Sequence, residues 1–141
     1  MTMQTSGHID TFTREHLPAV SDWPDFRFDL PQLDYPDRLN CAAELLDHNV
    51  ENGLGDRIAI YSAARNISWV ELCREASRIA HVLVDDMGLV PGNRVLLHGY
   101  NSIELIAGWY GVILAGGVAV MTMPMLRAGE IAKVIAKGQV S

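Results

Sequence analysis

Cysteine is scarce in this chain, and that scarcity excludes several classes of protein. Its 141 residues hold two cysteines, Cys41 and Cys73, which lie 32 positions apart. Without a CxxC pair there is neither a disulfide framework nor a thiolate metal knuckle, and reduced, buried thiols are the expectation. Positive charge is also short. Eleven Lys and Arg face 17 Asp and Glu, a net charge of −6, which leaves no electrostatic footprint for nucleic acid. The opening MTMQTSGHIDTF has neither a basic n-region nor an apolar h-region. It is not a signal peptide, and the expected location is cytoplasmic. No GxSxG and no GxxxxGKS/T occurs, and the glycines at 108, 111, 116 and 117 do not form GxGxxG after a strand. His8, His16, His48 and His81 show no metal-ligand spacing with acids or cysteines, so no metal site is expected.

What is present points to a packed α/β domain. Hydrophobic residues make up 49% of the chain, which fits a globular protein. A chain of this length is one domain, or part of a larger one, and can bury roughly 68% of its unfolded surface. From Leu105 to Met125 there are 21 consecutive residues without a charge. That is long enough for a membrane span, but Gly116-Gly117 and Pro124 interrupt it and its second half is β-branched. A short helix followed by a strand accounts for it, and no membrane partner is expected.

Residues 1–38 read as an irregular arm. Four prolines (Pro18, Pro24, Pro31, Pro36) deny it long helices, and it carries seven acids against three arginines. Phe26-Arg27-Phe28 alternates as a short strand would. The arm is expected to lie across the body through its aromatics, with its first ten or so residues poorly anchored.

Residues 39–141 read as the body. Asn40 caps a helix to about Asn52, with Ala42, Leu45, Leu46 and Val50 inward. Arg57–Tyr61 is a strand with a short partner at Ile67. Ser68 and Glu71 form a capping box. The helix they open carries Leu72, Ala76, Ile79, Ala80, Leu83 and Met87 as one stripe. Arg94–His98 is near-continuously apolar, as a strand covered on both faces is. Asn101 or Ser102 caps the next helix, which is apolar on nearly all sides and should be enclosed. Val118–Thr122 returns as a strand after about 19 residues, too many for a hairpin, so the pair should be parallel with a right-handed crossover. A final helix runs from about Arg127 to Lys137 with Ile131, Val134 and Ile135 inward. Gly138–Ser141 looks like the approach to another strand, which suggests a piece of a longer chain.

In open parallel sheets, ligands bind beyond the carboxyl ends of the strands. That rule selects two loops, His98–Ser102 and Thr122–Arg127. His98 is an acid, base or ligand, or else a strand-end histidine bonded to backbone. Tyr100 is placed to stack on an aromatic ligand. Asn101 and Ser102 touch substrate or only cap the helix. Trp109 on the buried helix reads as core rather than as a stacking surface. Arg127, at a helix N-terminus beside free amides, either holds an anion such as a phosphate or is a solvated arginine.

From Leu39 on, the chain resembles the N-terminal part of the acyl-adenylate-forming family, the AMP-dependent acyl-CoA synthetases and ligases. The stretches carrying the resemblance are Asn40-Cys-Ala-Ala-Glu-Leu-Leu46, Gly55-Asp-Arg-Ile-Ala-Ile60, Ser68-Trp-Val-Glu-Leu72, Leu89-Val-Pro-Gly-Asn-Arg-Val95, Asn101-Ser-Ile-Glu104 and Leu114-Ala-Gly-Gly-Val118 followed by Pro124. The stretch Met121-Thr-Met-Pro-Met-Leu-Arg-Ala-Gly-Glu130 and the opening arm look most like the benzoate–CoA and 2-aminobenzoate–CoA ligase branch. The resemblance implies an incomplete N-terminal subdomain of the acyl-CoA synthetase fold: a parallel β-α-β core sheet flanked by helices.

It also implies a two-step reaction. An aromatic carboxylate attacks the α-phosphate of Mg·ATP, giving an acyl-adenylate and pyrophosphate, and coenzyme A then displaces AMP. ATP, Mg2+ and coenzyme A are cofactors of the parent enzyme, and none is expected to bind this chain alone. The family's phosphate loop, magnesium-binding glutamate, ribose-binding aspartate and C-terminal lysine all match positions beyond Ser141. No catalytic residue of the family therefore falls on these positions, and the chain alone is expected to be inactive. In aryl relatives an arginine near the phosphates of coenzyme A matches Met125 of this chain. Arg127, two residues on, is the coenzyme A candidate. The alternative is a non-catalytic α/β binding or assembly module. In either case homo-oligomers through the sheet edge or the central helix are expected.

Overall fold

The computed structural model describes residues 6–36 and 38–140. Of the arm read at 1–38, residues 1–5 and Asp37 lie outside the described residues. So does Ser141, at the end of the body read at 39–141.

The centre is a β-α-β unit. Strand β3 (Arg94–His98), helix α4 (Ile103–Leu114) and strand β4 (Val118–Thr122) follow one another. The strands pair in parallel, with Arg94 opposite Val118 and His98 opposite Thr122. Helix α4 packs along both strands. Before this unit come α1 (Phe12–Glu15), α2 (Cys41–Asn49), β1 (Ile58–Ile60), β2 (Ile67–Ser68) and α3 (Trp69–His81), and α5 (Ala128–Gly138) follows it. Strands β1 and β2 form a separate antiparallel pair. No helix among the described residues is long and apolar enough to cross a membrane.

Local chemistry accounts for the helix starts. The Ser68 amide donates to Glu71 Oε2 (2.9 Å) and the Glu71 amide donates to Ser68 Oγ (3.4 Å), which completes the capping box of α3. Asn40 Oδ1 accepts from the amides of Ala42 (3.0 Å) and Ala43 (3.3 Å) and opens α2. Ser102 Oγ accepts from the Leu105 amide (3.1 Å). Ser102 is therefore the cap of α4, and Asn101 stands exposed outside it.

The core lies between the helices rather than on the parallel sheet. Leu46 of α2, Ile67 of β2, Leu72 and Ala76 of α3, and Ile103 and Ala107 of α4 pack together. Burying each larger side chain stabilises by about 1.5–3 kcal/mol. Helices α3 and α4 meet closely at Gly111, where a Cβ would fall 2.7 Å from Ile79 Cγ2. Only glycine allows that approach.

Several expectations fail for related reasons. Strand β3 is not covered on both faces: Val95, Leu96 and Leu97 are half-buried and His98 is exposed. Helix α4 is likewise not enclosed, since Leu105, Ile106, Trp109, Tyr110, Ile113 and Leu114 are half-buried. Among the described residues, two strands carry one helix layer and no second layer covers them. Leu45, Met87 and Ile135 are exposed: periodicity marks a face whether or not a partner covers it. Phe26-Arg27-Phe28 forms no strand, having no neighbour to pair with, and Phe26, Phe28 and Tyr35 are exposed. The arm's anchor lies earlier, where the amides of Ile9 and Asp10 both donate to Pro91 O at 2.9 Å. The residues expected to be poorly held thus include the ones that hold. No strand begins at 138–140, because Gln139 takes the left-handed conformation (φ 44) that terminates α5. Cys41 is exposed and Cys73 half-buried, so the thiols are free but not both buried.

Candidate functional site

The carboxyl ends of β3 and β4 lie side by side, as parallel pairing requires. Their register sets His98 opposite Thr122, and His98 Nδ1 lies 2.9 Å from Thr122 Oγ1. The Thr122 hydroxyl also points at Leu97 O (3.5 Å). His98 is thus exposed and bonded to a side chain, where backbone was the expected partner.

Tyr100 is 75% exposed, and among the described residues no aromatic ring stacks on it. Asn101 is exposed as well. Glu104, in the first turn of α4, has its carboxyl pulled below the ordinary value of 4.5, first by its own backbone amide and then by the Ser102 hydroxyl. Arg65 lies beside it. Its guanidinium bonds Glu75 Oε1 at 2.9 Å and reaches Glu104 Oε1 at 3.7 Å, and Glu75 raises the arginine's pKa above its ordinary value. This ion-pair group flanks the first turn of α4. Nothing in the spacing of Arg65 ties it to acids on two later helices, so the sequence does not announce this group.

Arg127 is the N-cap residue of α5 and is exposed. Its own amide donates to Glu130 Oε2 at 2.9 Å. The chain therefore supplies its own carboxylate to that helix end, where the dipole favours an anion. The Arg127 guanidinium has no ion-pair partner among the described residues. The residues at this edge do not build a closed holding site for a nucleotide or for Mg2+. Among the described residues no three His, Cys, Asp or Glu side chains converge to hold a metal ion. A shallow groove of about 270 Å³ runs along α2, lined by Arg38, Leu39, Asn40, Glu44 and His48 among others. It includes none of the loop residues singled out from the sequence.

The geometry thus gives a scaffold edge with two adjoining loops, and comparison with known proteins gives its family. The AMP-binding enzyme family model matches residues 46–141. The chain belongs to that family. It is 32% identical, over 104 residues, to a 3-hydroxybenzoate–CoA/4-hydroxybenzoate–CoA ligase of Thauera aromatica, covering 74% of this chain and 20% of that enzyme. Among solved structures, ATP-bound MatB from Rhodopseudomonas palustris aligns with a TM-score of 0.63 at 32% identity, over 72% of this chain and 20% of MatB. A benzoate–CoA ligase from Burkholderia xenovorans shares the fold, with a TM-score of 0.68 at 23% identity, over 73% of this chain and 20% of that one. The α/β unit is therefore the N-terminal part of the acyl-CoA synthetase fold. The chain spans a fifth or less of the length of the curated relatives it matches first.

Proposed function

We propose that this chain is the N-terminal portion of an ATP-dependent, AMP-forming aryl acid–CoA ligase. The observation that carries the reading is the 104-residue match to the hydroxybenzoate–CoA ligase. The fold likeness to the benzoate–CoA ligase is consistent with it. Residues 39–141 then form the first part of the AMP-binding domain and residues 1–38 an arm against it.

In this reading the chain supplies scaffold rather than chemistry. The parent activates an aromatic carboxylate as its adenylate, since AMP leaves far more readily than hydroxide, and then passes the acyl group to coenzyme A. ATP, Mg2+ and coenzyme A serve the parent. In this reading the loops at His98–Ser102 and Thr122–Arg127 border the ligand side, and Arg127 is the candidate for a coenzyme A phosphate. Its charge is free for that contact, while the amide beside it is already held by Glu130. The catalytic groups belong to the rest of the parent. The apolar surface left on β3, β4 and α4 is where that remainder packs, and it makes the isolated chain prone to form homo-oligomers.

The test is ATP–pyrophosphate exchange by the purified 141-residue chain with benzoate and the hydroxybenzoates. The expected result is no exchange above background. Exchange that rises with chain concentration would overturn the assignment of chemistry to the remainder.

A further inference from the structure

Arg94 opens β3 and is 5% exposed, the one charged residue buried in the described core. Its guanidinium is shared between two remote segments. Nη1 donates to Gly92 O (3.0 Å) and to Asp10 Oδ2 of the arm. Nε donates to Gly138 O (3.0 Å) and Nη2 to Gln139 O (2.6 Å), both at the end of α5. The Phe12 ring lies beneath it, 4.7 Å from the guanidinium carbon, at a distance where the ring face attracts a cation.

Each segment depends on this joint. Helix α5 has no buried residue and packs extensively on no other element. Among the described residues, the two bonds from Arg94 are the hydrogen bonds that join it to the body. On the arm side, Asn93 Nδ2 also donates to Asp10 Oδ2 (2.8 Å). The backbone of residues 8–10 crosses so close to Gly92 that a Cβ there would collide with Asp10 O and lie 2.9 Å from His8 Cβ. Gly92 has φ +96 and carries no side chain to bar the way.

We propose that residues 9–12 form a strap whose docking sets the position of α5 through Arg94. The strap closes the far side of the guanidinium. Asp10 neutralises its charge and Phe12 covers its face, which fixes the donors aimed at Gly138 O and Gln139 O. With the strap lifted, the side chain becomes hydrated and turns toward water, and those carbonyls lose rigid donors. By reciprocity, tightening the end of α5 tightens the strap. Arg127 sits at the other end of α5, so the strap also bears on the loop at the carboxyl edge of the sheet.

Amide hydrogen exchange on the full chain tests this with two variants. Asp10→Ala should speed exchange in residues 6–16 and also at the Gln139 and Val140 amides, which Asp10 does not touch, by about fivefold or more. The amides of α3 should be unchanged. Faster exchange in residues 6–16 alone would overturn the coupling. Gln139→Gly keeps the carbonyl that Arg94 binds and removes the cost of the left-handed conformation. It should slow exchange at the Ile9 and Asp10 amides. If Asp10→Ala loosens α3 as well, this second variant decides, and unchanged exchange at Ile9 and Asp10 then overturns the proposal.

Discussion

Asn40 Nδ2 donates to Ile113 O at 2.9 Å across 73 positions of sequence. It reaches Leu114 O as well, at 3.4 Å. One side chain therefore caps the start of α2 with its oxygen and the end of α4 with its nitrogen. Aspartate is normally as good an N-cap as asparagine. Here Asn40→Asp should fail, because a carboxylate would face two carbonyl oxygens. The expected loss is about 1 kcal/mol, since the two bonds from Asn40 are lost while Ile113 O keeps the Gly116 amide. Urea unfolding followed by circular dichroism measures it. An aspartate variant as stable as the parent would show that the cap alone matters.

The capping box of α3 gives a second prediction. Ser68→Ala removes the oxygen that holds the Glu71 amide and should cost about 1 kcal/mol. Ser68→Asp restores an acceptor at the same place and should recover some of that loss. Thermal unfolding of the two variants checks both, and an alanine variant without loss would contradict the role of the box.

Acid should destabilise the fold in a defined direction. The Arg94 guanidinium holds the Asp10 carboxyl below its ordinary value of 3.8. The Ser68 amide does the same for Glu71, whose ordinary value is 4.5. A carboxyl with a lower pKa in the folded state stabilises it fully above the unfolded value, and the stabilisation is lost as pH falls through the folded value. The melting temperature should therefore hold above about pH 5 and drop below about pH 4. Asp10→Asn should flatten part of that drop. The part due to Glu71, which is exposed, should shrink in high salt, while the part due to Asp10, held against the buried Arg94, should persist. A melting temperature that rises on acidification would contradict the assignment.

The two thiols should differ in reactivity. Burial, reinforced by donation to Asp47 Oδ1 at 3.2 Å, raises the pKa of Cys73 above its ordinary 9.0. Cys41 is exposed. Thiolate is the reactive form, so a maleimide or disulfide reagent at about pH 8 should label Cys41 first and Cys73 slowly. Mass spectrometry of the tryptic peptides reads the order, and faster labelling of Cys73 would overturn it.

What could be read in the sequence was what short-range chemistry determines. The strands at Arg94–His98 and Val118–Thr122 followed from apolar runs, and their parallel pairing from the length between them. Ser68 and Glu71 announced their own helix. The misses are non-local. An arginine leading an apolar strand reads as a solvated end, and nothing in its spacing shows that Asp10, 84 positions earlier, encloses it. Leu45, Met87 and Ile135 stand exposed where the pattern predicts burial, because periodicity marks a face without showing whether a partner covers it. At the site, strand order alone brought His98 beside Thr122. Among the described residues, Tyr100 and the Arg127 guanidinium carry no partner that fixes a role, and no short motif names the reaction.

Under the proposed function the parent enzyme adenylates aromatic acids, and ATP–pyrophosphate exchange by the protein expressed from its complete reading frame reads that activity. The panel should hold benzoate, 2-aminobenzoate, 3- and 4-hydroxybenzoate, acetate and a medium-chain fatty acid. Exchange is expected with one or more of the benzoates and little with acetate or the fatty acid. Exchange driven by acetate or the fatty acid, with none from any benzoate, would contradict that function.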